Sequence, residues 1–399
     1  MTTAQGCPVH DYPFREPHEL DLEPEYARLR VAEPLSRVRL PYGGEAWLAT
    51  GHEDVRTVLS DPRFSRAALL GREVPRTSPR PLRDSTLHTM DPPEHNRLRR
   101  LVSAAFTPRR LRALAEQTQH VADDLVSRML DEGPPADVVS GLGTPLPVAM
   151  TCHLLGVPRA DHDRFTAWVD VALATTAFPP EEIQAAFDAL KSYLADLVAT
   201  RRQTPADDLL SALVSARDNE GRLSEDELVV LGVTLLYAGL DTTSNHIGNF
   251  TYNLLTHPKQ LAALRADRTL LDRAVEELLR FTPTVTSAGF TRVALEDIEL
   301  GGVLVATGEC VMVQLDAANR DPRVFPHPDD LDITRDKPPH LAFGHGPHYC
   351  VAAQLAKIEL RVALGTLLDR LPEFTLATTD LRWRSGRMVR GLEALPITW

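Results

Sequence analysis

The longest helical pattern of apolar positions in the chain covers residues 224–257. Apolar side chains recur at helical spacing and on all sides of this segment, which indicates a buried helix. Ser224 and Glu227 form a capping box at its start, and Pro258 ends it. At 1.5 Å per residue such a helix is about 50 Å long, enough to cross the whole molecule.

The apolar pattern is interrupted in the middle of this helix by a glycine and five polar residues, namely Gly239, Asp241, Thr242, Thr243, Ser244 and Asn245. Polar groups buried in mid-helix need hydrogen-bond partners or a function. A hydroxyl bonded back to a helix carbonyl, often with a kink, would satisfy the first need. A role in catalysis would satisfy the second, and the two interpretations are compatible.

The remaining pattern predicts a mainly α fold with a small β-sheet region. Residues 66–89 are rich in proline and arginine without a clean period, which predicts a long surface loop. Residues 111–216 are mostly amphipathic helices separated by prolines. Shorter elements are predicted as a helix near 24–31, a hairpin of 37–40 and 46–50, and strands at 289–294, 298–300, 311–313, 374–376 and 392–398.

Composition indicates an ordinary globular protein. Of 399 residues, 43% are hydrophobic and 25% are charged. No flexible linker, repeat or low-complexity tract divides the chain, so we expect a single domain over residues 1–399. The net charge of −12 argues against general nucleic-acid binding.

The chain ends and the cysteines indicate a compartment. The first fourteen residues have no apolar core of the kind that a signal peptide needs. The most apolar run, residues 228–240, is too short to span a bilayer. Four scattered cysteines do not look like a disulfide framework. We therefore expect a soluble cytoplasmic protein without a membrane anchor.

The richest local signal is the segment 343–350, which places one cysteine before a helical pattern. Gly344, Gly346 and Pro347 cannot continue a helix, but they can bend a backbone closely around something flat. A thiol at a helix N-terminus is favoured as the thiolate, which is both a metal ligand and a nucleophile.

The residues around Cys350 leave several interpretations open. A zinc site needs four clustered ligands, and only His345 and His348 are near in sequence. A cysteine hydrolase needs a histidine and an orienting group. An axial thiolate on haem iron needs one cysteine with glycines beside it. A buried structural cysteine is the commoner outcome for a lone thiol.

The whole octapeptide resembles the haem-binding loop of the cytochrome P450 superfamily, which reads Phe-Gly-x-Gly-x-His-x-Cys in bacterial members. The matching positions are Phe343, Gly344, Gly346, His348 and Cys350. The chain departs from the usual pattern at Ala352, where the family has Gly, and at Lys357, where it has Arg. The resemblance implies that Cys350 is the iron ligand and that Phe343, Gly344 and His348 contact the haem.

A second motif begins at Asp91-Pro92-Pro93 and continues to His95 and Arg99. The two side chains share one helix face at i, i+4, and on spacing alone a solvated charged face is the simpler interpretation. The resemblance implies instead that both bind haem propionates, together with Arg292 in a later strand.

The polar interruption of the long helix matches the family's oxygen-activation motif at residues 238–243. The resemblance implies that Ala238 and Gly239 shape the oxygen site. It also implies that Asp241 and Thr242 manage protons for bound dioxygen.

Glu277 and Arg280 form an i, i+3 pair that as a surface pair would contribute only about 0.2–0.5 kcal/mol. The resemblance implies a buried network in which Arg335 is the third member. Losing one partner would then leave a buried charge uncompensated.

The resemblance implies a triangular fold with a long central helix over haem b. It implies a monooxygenase with O2 as co-substrate, acting on a bulky, largely apolar natural product such as a macrolide, polyketide, terpenoid or cyclic dipeptide. Electrons would come ultimately from NAD(P)H through a ferredoxin and a ferredoxin reductase. We expect a monomer with a small-molecule substrate and no membrane or nucleic-acid partner.

Two other classes share this sequence signal. One is a haem-thiolate enzyme that performs oxidative coupling, ring closure or desaturation. The other is a haem protein that senses or carries electrons, which the intact Asp241–Thr242 pair argues against.

The resemblance also predicts where substrate and electrons arrive. Substrate contacts are expected at residues 75–88, 165–178, 235–238, 284–288 and 388–389, with a substrate-covering lid at 167–178. Positive charge for an acidic ferredoxin is expected from Arg97, Arg100, Arg109, Arg110 and Lys357.

Overall fold

The structure is a computed structural model, and it describes residues 8–15, 19–78, 85–285, 291–336 and 338–399. The α-helices are α1 (Pro24–Ala32), α2 (His52–Ser60), α3 (Glu94–Ser103), α4 (Pro108–Glu132), α5 (Pro145–Leu155), α6 (His162–Ala172), α7 (Pro180–Gln203), α8 (Leu209–Asp218), α9 (Glu225–Thr256), α10 (Pro258–Ala266), α11 (Leu271–Phe281), α12 (Leu315–Ala318) and α13 (Ala353–Arg370). The β-strands are β1 (Val9–Asp11), β2 (Leu35–Arg39), β3 (Glu45–Ala49), β4 (Phe64–Ser65), β5 (Ala136–Asp137), β6 (Arg292–Ala294), β7 (Ile298–Leu300), β8 (Val303–Val305), β9 (Cys310–Val313), β10 (Thr375–Leu376) and β11 (Pro396–Thr398). The predicted mainly α fold with small sheets is confirmed.

The chain forms two compact units, which are described separately. The first unit is Met1–Asn96 with Glu276–Cys350, and the second is Arg97–Val275 with Val351–Trp399. The expectation of a single domain stays a prediction.

The first unit is built on a six-stranded sheet with the order β1-β2-β3-β9-β6-β4. The predicted hairpin is its centre: β2 and β3 pair antiparallel, with Leu35 opposite Ala49, and β3 runs parallel to β9. Trp47 packs into an apolar cluster on one face, and Leu48 packs into another cluster on the opposite face. Because both faces are covered, β3 and β9 are nearly continuous apolar runs, whereas β2 also carries serine and arginine.

The second unit is built around α9, which has the predicted ends. Ser224 Oγ accepts the N–H of Glu227 at 3.1 Å, and Glu227 Oε2 accepts the N–H of Ser224 at 2.7 Å. The helix ends at Thr256, and Pro258 is the first residue of α10. Helices α5, α7, α8, α10 and α13 pack against α9, which buries most of its apolar positions. A three-stranded sheet of order β10-β11-β5 completes this unit.

The structure differs from the sequence prediction in several short elements. Strands β1, β4, β5 and β8 were not predicted. Strands of two or three residues show at most one alternation of apolar and polar positions, so the pattern reveals some of them, such as β7, and misses others. The predicted strand at 289–294 is present as β6, and residues 286–290 lie outside the described part of the chain. The predicted surface loop at 66–89 is partly internal, since Leu69, Val74 and Leu87 are buried in it.

No helix among the described residues combines the length and the apolar character that crossing a bilayer requires.

Candidate active site

The cysteine loop, residues 343–350 of the first unit, closes on itself. The N–H of Cys350 donates to the carbonyl of Phe343 at 2.9 Å. Gly346 has φ +70°, and a Cβ there would lie 2.6 Å from the Leu59 carbonyl near the end of α2. Only glycine fits this approach, so the tertiary contact explains why the loop needs glycine at that position.

Cys350 stands before α13 rather than at its first residue. Residues 351 and 352 form a turn, and the helix begins at Ala353. The sequence predicted the cysteine directly before the helix. In the structure this two-residue turn separates Cys350 from the first residue of α13. Gly344 has φ +73°, a second position in the loop that favours glycine.

Basic side chains cluster in the same unit. The rings of His95 and His348 have centroids 4.3 Å apart. Arg66 and Arg292 donate through Nη1 to one carbonyl, that of Thr291, at 2.9 and 3.3 Å. His95, Arg66 and Arg292 are all buried. The structure therefore brings together three of the predicted haem-binding side chains, while Arg99 follows His95 by one turn along α3.

The basic side chains of this cluster are close enough to repel one another when charged. Burial, with repulsion from Arg292 and His95, lowers the pKa of His348 to about 2. Burial also lowers the pKa of Arg292 well below its ordinary value. A negatively charged group held among these side chains would relieve the repulsion and pair with them.

Arg66 is a member of this cluster that sequence reasoning missed. Its Nε donates to the His88 carbonyl at 2.8 Å, and its backbone N–H donates to Asp91 Oδ1 at 2.8 Å. It lies in the region predicted as a surface loop, where no periodicity or motif distinguished it from the neighbouring arginines. Only its partners, distant in sequence, identify it.

Glu277, Arg280 and Arg335 form one buried ion network. Arg280 donates to both carboxylate oxygens of Glu277 at 2.8 Å, and Arg335 Nε donates to Glu277 Oε2 at 3.0 Å. The side chains of Glu277 and Arg280 are fully buried. Arg280 also donates to the carbonyls of Asn319 and Pro328 at 2.9 and 2.7 Å, so its charge is shared among several acceptors.

In the second unit, the polar interruption of α9 remains helical. Thr242 Oγ1 donates to the carbonyl of Ala238 at 3.0 Å, and that of Thr251 donates to Ile247 in the same way at 2.8 Å. The back-bonded hydroxyl of Thr242 is therefore the resting arrangement. If this hydroxyl donates to another partner, the hydrogen bond to the Ala238 carbonyl is lost, and its free energy with it.

Asp241 lies beside Thr242 in a network of its own. Asn245 Nδ2 donates to Asp241 Oδ1 at 2.9 Å, and Arg384 Nη1 donates to the same oxygen at 3.2 Å. Arg384 also bonds the Asp170 carboxylate on α6. Burial raises the pKa of Asp241, although Arg384 opposes the rise. Arg384 and Asp170 were not predicted, and nothing in their local sequence marks them.

A cavity of about 1400 Å³ in the second unit opens onto this network. Residues of α4, α5, α6 and α9 line it, together with part of the segment 384–393. Asp241 is one of the lining residues, so solvent in the cavity reaches the vicinity of its carboxyl group.

Three cysteines lie in the part of the chain that the structure describes. Cys152, Cys310 and Cys350 form no disulfide there. No three His, Cys, Asp or Glu side chains of the described residues are grouped as a metal cluster would need.

Comparison with known proteins decides the family. Residues 41–380 match the family model of cytochrome P450. The chain belongs to the cytochrome P450 family. It is accordingly an oxidoreductase of the monooxygenase type, and the sequence-based recognition is confirmed.

Relatives of this cytochrome P450 come from bacterial natural-product pathways. The nocardicin C N-oxygenase of Nocardia uniformis subsp. tsuyamanensis is 49% identical over 98% of this chain and 99% of its own length. The LnmA cytochrome P450 hydroxylase, from the leinamycin biosynthetic pathway of Streptomyces atroolivaceus S-140, is 51% identical with a TM-score of 0.91, over 98% of this chain and 100% of that chain. Cytochrome P450mel 107F1, described with biaryl coupling reactivity, is 44% identical with a TM-score of 0.95, over the same shares of the two chains.

Membership implies haem iron and dioxygen as the reacting groups, with redox partners that supply electrons. The residues of the first unit fit this cofactor. Cys350 offers a single sulfur in a glycine loop, and the cluster of Arg66, Arg292, His95 and His348 suits carboxylate groups.

The predicted substrate-contact ranges are partly described. Residues 79–84 and 286–290 lie outside the described residues, which removes parts of two ranges from view. The range 235–238 lies in α9. The range 165–178 covers most of α6 and the chain that follows this helix. Met388 is 39% exposed and Val389 is buried. Their contact with substrate stays a prediction.

Two arginines of the predicted basic patch, Arg97 and Arg110, have acidic partners in the structure. Arg97 is paired with the Glu227 carboxylate and also donates to the Arg222 carbonyl, so its charge is engaged at the start of α9. Arg110 forms an exposed ion pair with Asp207 at 3.3 Å. Arg100, by contrast, is exposed, and a role of this patch in binding a ferredoxin stays a prediction.

Proposed function

We propose that this cytochrome P450 inserts one oxygen atom from O2 into a bulky, largely apolar natural product. A macrolide, a polyketide, a terpenoid or a cyclic dipeptide would suit it. The observation that carries the proposal is the Asp241–Thr242 pair on α9, because a protein that only carries electrons needs no proton-handling groups. The natural-product pathways of the relatives support the substrate class.

Cys350 is proposed as the residue whose thiolate would hold the haem iron. Bound haem supplies a thiolate-ligated iron that activates dioxygen. Phe343 and Gly344 enclose the loop, and the close approach of Gly346 to α2 supports a loop with one backbone path. Of the three cysteines among the described residues, Cys152 and Cys310 are buried, whereas Cys350 is partly exposed.

The haem carboxylates are proposed to bind His95, Arg99, Arg292 and His348, with Arg66 as an additional partner. Burial and the neighbouring Arg66 lower the pKa of Arg292, and this supports the role, because an anion bound in the cluster would stabilise the buried cation. The cluster orients the cofactor and holds its charge away from water.

Asp241 and Thr242 are proposed to handle protons, with Ala238 and Gly239 making room for dioxygen. Thr242 can donate its hydroxyl to a new partner once it releases the Ala238 carbonyl. Asp241 can lose a proton and recover it from water in the adjoining cavity. Electrons are proposed to come from NAD(P)H through a ferredoxin reductase and an acidic ferredoxin, attracted by exposed arginines such as Arg100.

Two experiments test this function. The reduced carbon monoxide complex of the wild type should show the strongly red-shifted Soret band of thiolate ligation. Cys350→Ser should lose that band, while Cys310→Ser keeps it. Optical difference titration against the four compound classes identifies the substrate, and turnover under labelled dioxygen should give a product with one labelled oxygen.

Oxidative coupling, ring closure or desaturation is the second candidate. It is favoured by the 44% identity to the protein with biaryl coupling reactivity. A product that has lost hydrogens, has gained no label and has doubled or cyclised would replace oxygen insertion by this chemistry.

A further inference from the structure

The C-terminal segment 384–388 is fastened to the lid segment, residues 167–178, through the backbone. The Gly386 carbonyl accepts the N–H groups of Thr175, Thr176 and Ala177 at 2.8, 3.2 and 3.1 Å. Gly386 has φ +63°, and a Cβ there would lie 2.6 Å from the Ala177 nitrogen. Because the two backbones are this close, a displacement of the lid segment carries the C-terminal segment with it.

Arg384 connects this assembly to α9. One arm of its guanidinium bonds the Asp170 carboxylate in the lid segment, and Nη1 lies 3.2 Å from Asp241 Oδ1 and 3.3 Å from Asn245 Oδ1. The Asp241 side chain is 11% exposed and that of Asp170 is 40% exposed. One cation is thus divided between a carboxylate that faces solvent and one that is nearly buried.

Removing Asp170 and removing Arg384 have opposite effects on the ionisation of Asp241. Two carboxylates share the Arg384 guanidinium, and of the two Asp170 also has Arg387 as a partner. Any change that removes Asp170 leaves Arg384 wholly to Asp241 and favours the ionised form of Asp241. Any change that removes Arg384 favours the protonated form.

Other charged groups around the cavity are mixed in sign and do not favour one form. Those contributed by α4, α5, α6, the turn before α6 and the chain from 387 to 393 are Asp124, Arg128, His153, Arg159, His162, Asp163, Arg387 and Glu393. Arg387 strengthens the lid side of the network, since its Nη2 lies 2.9 Å from Asp170 Oδ2 and its guanidinium stacks on the Phe178 ring.

We propose that Arg384 is a positioning residue for Asp241, and that Asp170 in the lid segment sets how strongly Arg384 holds it. With the lid segment in its described position, Arg384 is shared, and Asp241 exchanges protons with cavity water. Without the Asp170 carboxylate, Arg384 is left to Asp241 and favours its ionised form. This inference rests on the proposed function, because it requires that Asp241 handles protons.

The first test follows the charge of Asp241 directly in the purified holoenzyme, without turnover. Difference infrared spectroscopy against pH records the carbonyl stretch of protonated carboxylic acids, and Asp241→Asn identifies the signal. In Asp170→Asn the titration should move down by at least about one pH unit. In Arg384→Gln and in the double variant Asp170→Asn/Arg384→Gln it should move up, and Arg384→Lys should restore it toward the wild type.

The second test separates this role from a simple clamp. Hydrogen exchange of the lid segment should rise in Asp170→Asn and in the control Arg387→Lys. The solvent isotope effect on oxygen consumption by the substrate-free holoenzyme, driven by NADH through a plant-type ferredoxin and its reductase, should rise about twofold in Asp170→Asn but not in Arg387→Lys. The double variant should recover this isotope effect without recovering lid protection.

The outcomes distinguish the two proposals. If Asp241→Asn leaves the isotope effect unchanged, the proton role of Asp241 is wrong and this inference is wrong with it. If Asp241→Asn raises the isotope effect while Asp170→Asn alters neither the titration nor that effect, only this inference is overturned. A double variant as impaired as Asp170→Asn would likewise leave Arg384 as a structural clamp.

Discussion

Arg335 donates its Nε hydrogen to Glu277 Oε2 at 3.0 Å across 58 residues of sequence, and the Glu277 side chain is completely buried. Glu277 also accepts two hydrogen bonds from Arg280 and one from the backbone N–H of Asp332. One carboxylate therefore joins α11 to the chain that leads to the cysteine loop.

Removing Arg335 should destabilise the protein strongly. Arg335→Ala takes away one of the two cations that neutralise Glu277, and breaking a buried pair in this way costs about 3–5 kcal/mol. Denaturant unfolding of the haem-bound protein measures this loss. The matched control is Arg28→Ala, which removes the exposed i, i+3 pair with Glu25 and should cost less than about 0.5 kcal/mol. Equal losses in both variants would contradict the role of the network.

Arg292 should control haem retention. Arg292→Ala removes a buried cation from the cluster and should speed haem loss about tenfold or more, because a hydrogen bond to a charged group is worth about 1.5–3 kcal/mol. Transfer of haem to a haem-accepting apoprotein gives the rate. Arg99→Ala should act in the same direction, whereas Arg100→Ala, an exposed change on the same helix as Arg99, should not. Unchanged retention in Arg292→Ala would remove the proposed role.

Thr242→Ala should uncouple the reaction without unfolding the protein. The lost hydroxyl makes one back-bond to Ala238, worth about 1 kcal/mol of net stability. Product per electron pair should fall, hydrogen peroxide release should rise, and added peroxide should partly rescue turnover. Thr251→Ala deletes an equivalent back-bond on the same helix and serves as the control. Full product without extra peroxide in Thr242→Ala would exclude the proton role of this hydroxyl.

Glu359 on α13 should make stability fall as pH rises. Burial raises its pKa from 4.5 to about 8, and the side chain is 3% exposed. Between these values the folded protein holds a proton that the unfolded chain has released, so stability present below pH 4.5 is progressively lost up to pH 8.

Glu359→Gln removes this titration. The variant should therefore gain stability over the wild type on going from pH 5 to pH 8, by up to about 3–4 kcal/mol at roughly 1.4 kcal/mol per pH unit. Urea unfolding at the two pH values measures the difference. Glu373→Gln, at an exposed position, should change stability by less than about 0.5 kcal/mol at either pH. A pH-independent effect of Glu359→Gln would show that Glu359 is ionised in the fold.

The sequence by itself determined the features that depend on neighbouring residues. The ends of α9 follow from a capping box at Ser224 and a proline after the helix, and both act within one turn. The glycines of the cysteine loop and the family's motifs are equally local, so they identify the family and its oxidoreductase chemistry without coordinates. The length and burial of α9 follow from periodicity, because a helix repeats the same geometry at each turn.

Only the tertiary structure decided which distant groups meet. Arg66 reaches the Thr291 carbonyl across 225 residues, and Arg384 reaches Asp241 across 143. Neither arginine differs in local sequence from exposed ones, because an ion pair between distant segments leaves no period and no turn signal. The short strands β1, β4 and β5 follow the same rule: a strand of two or three residues exists only through the hydrogen bonds of its partner.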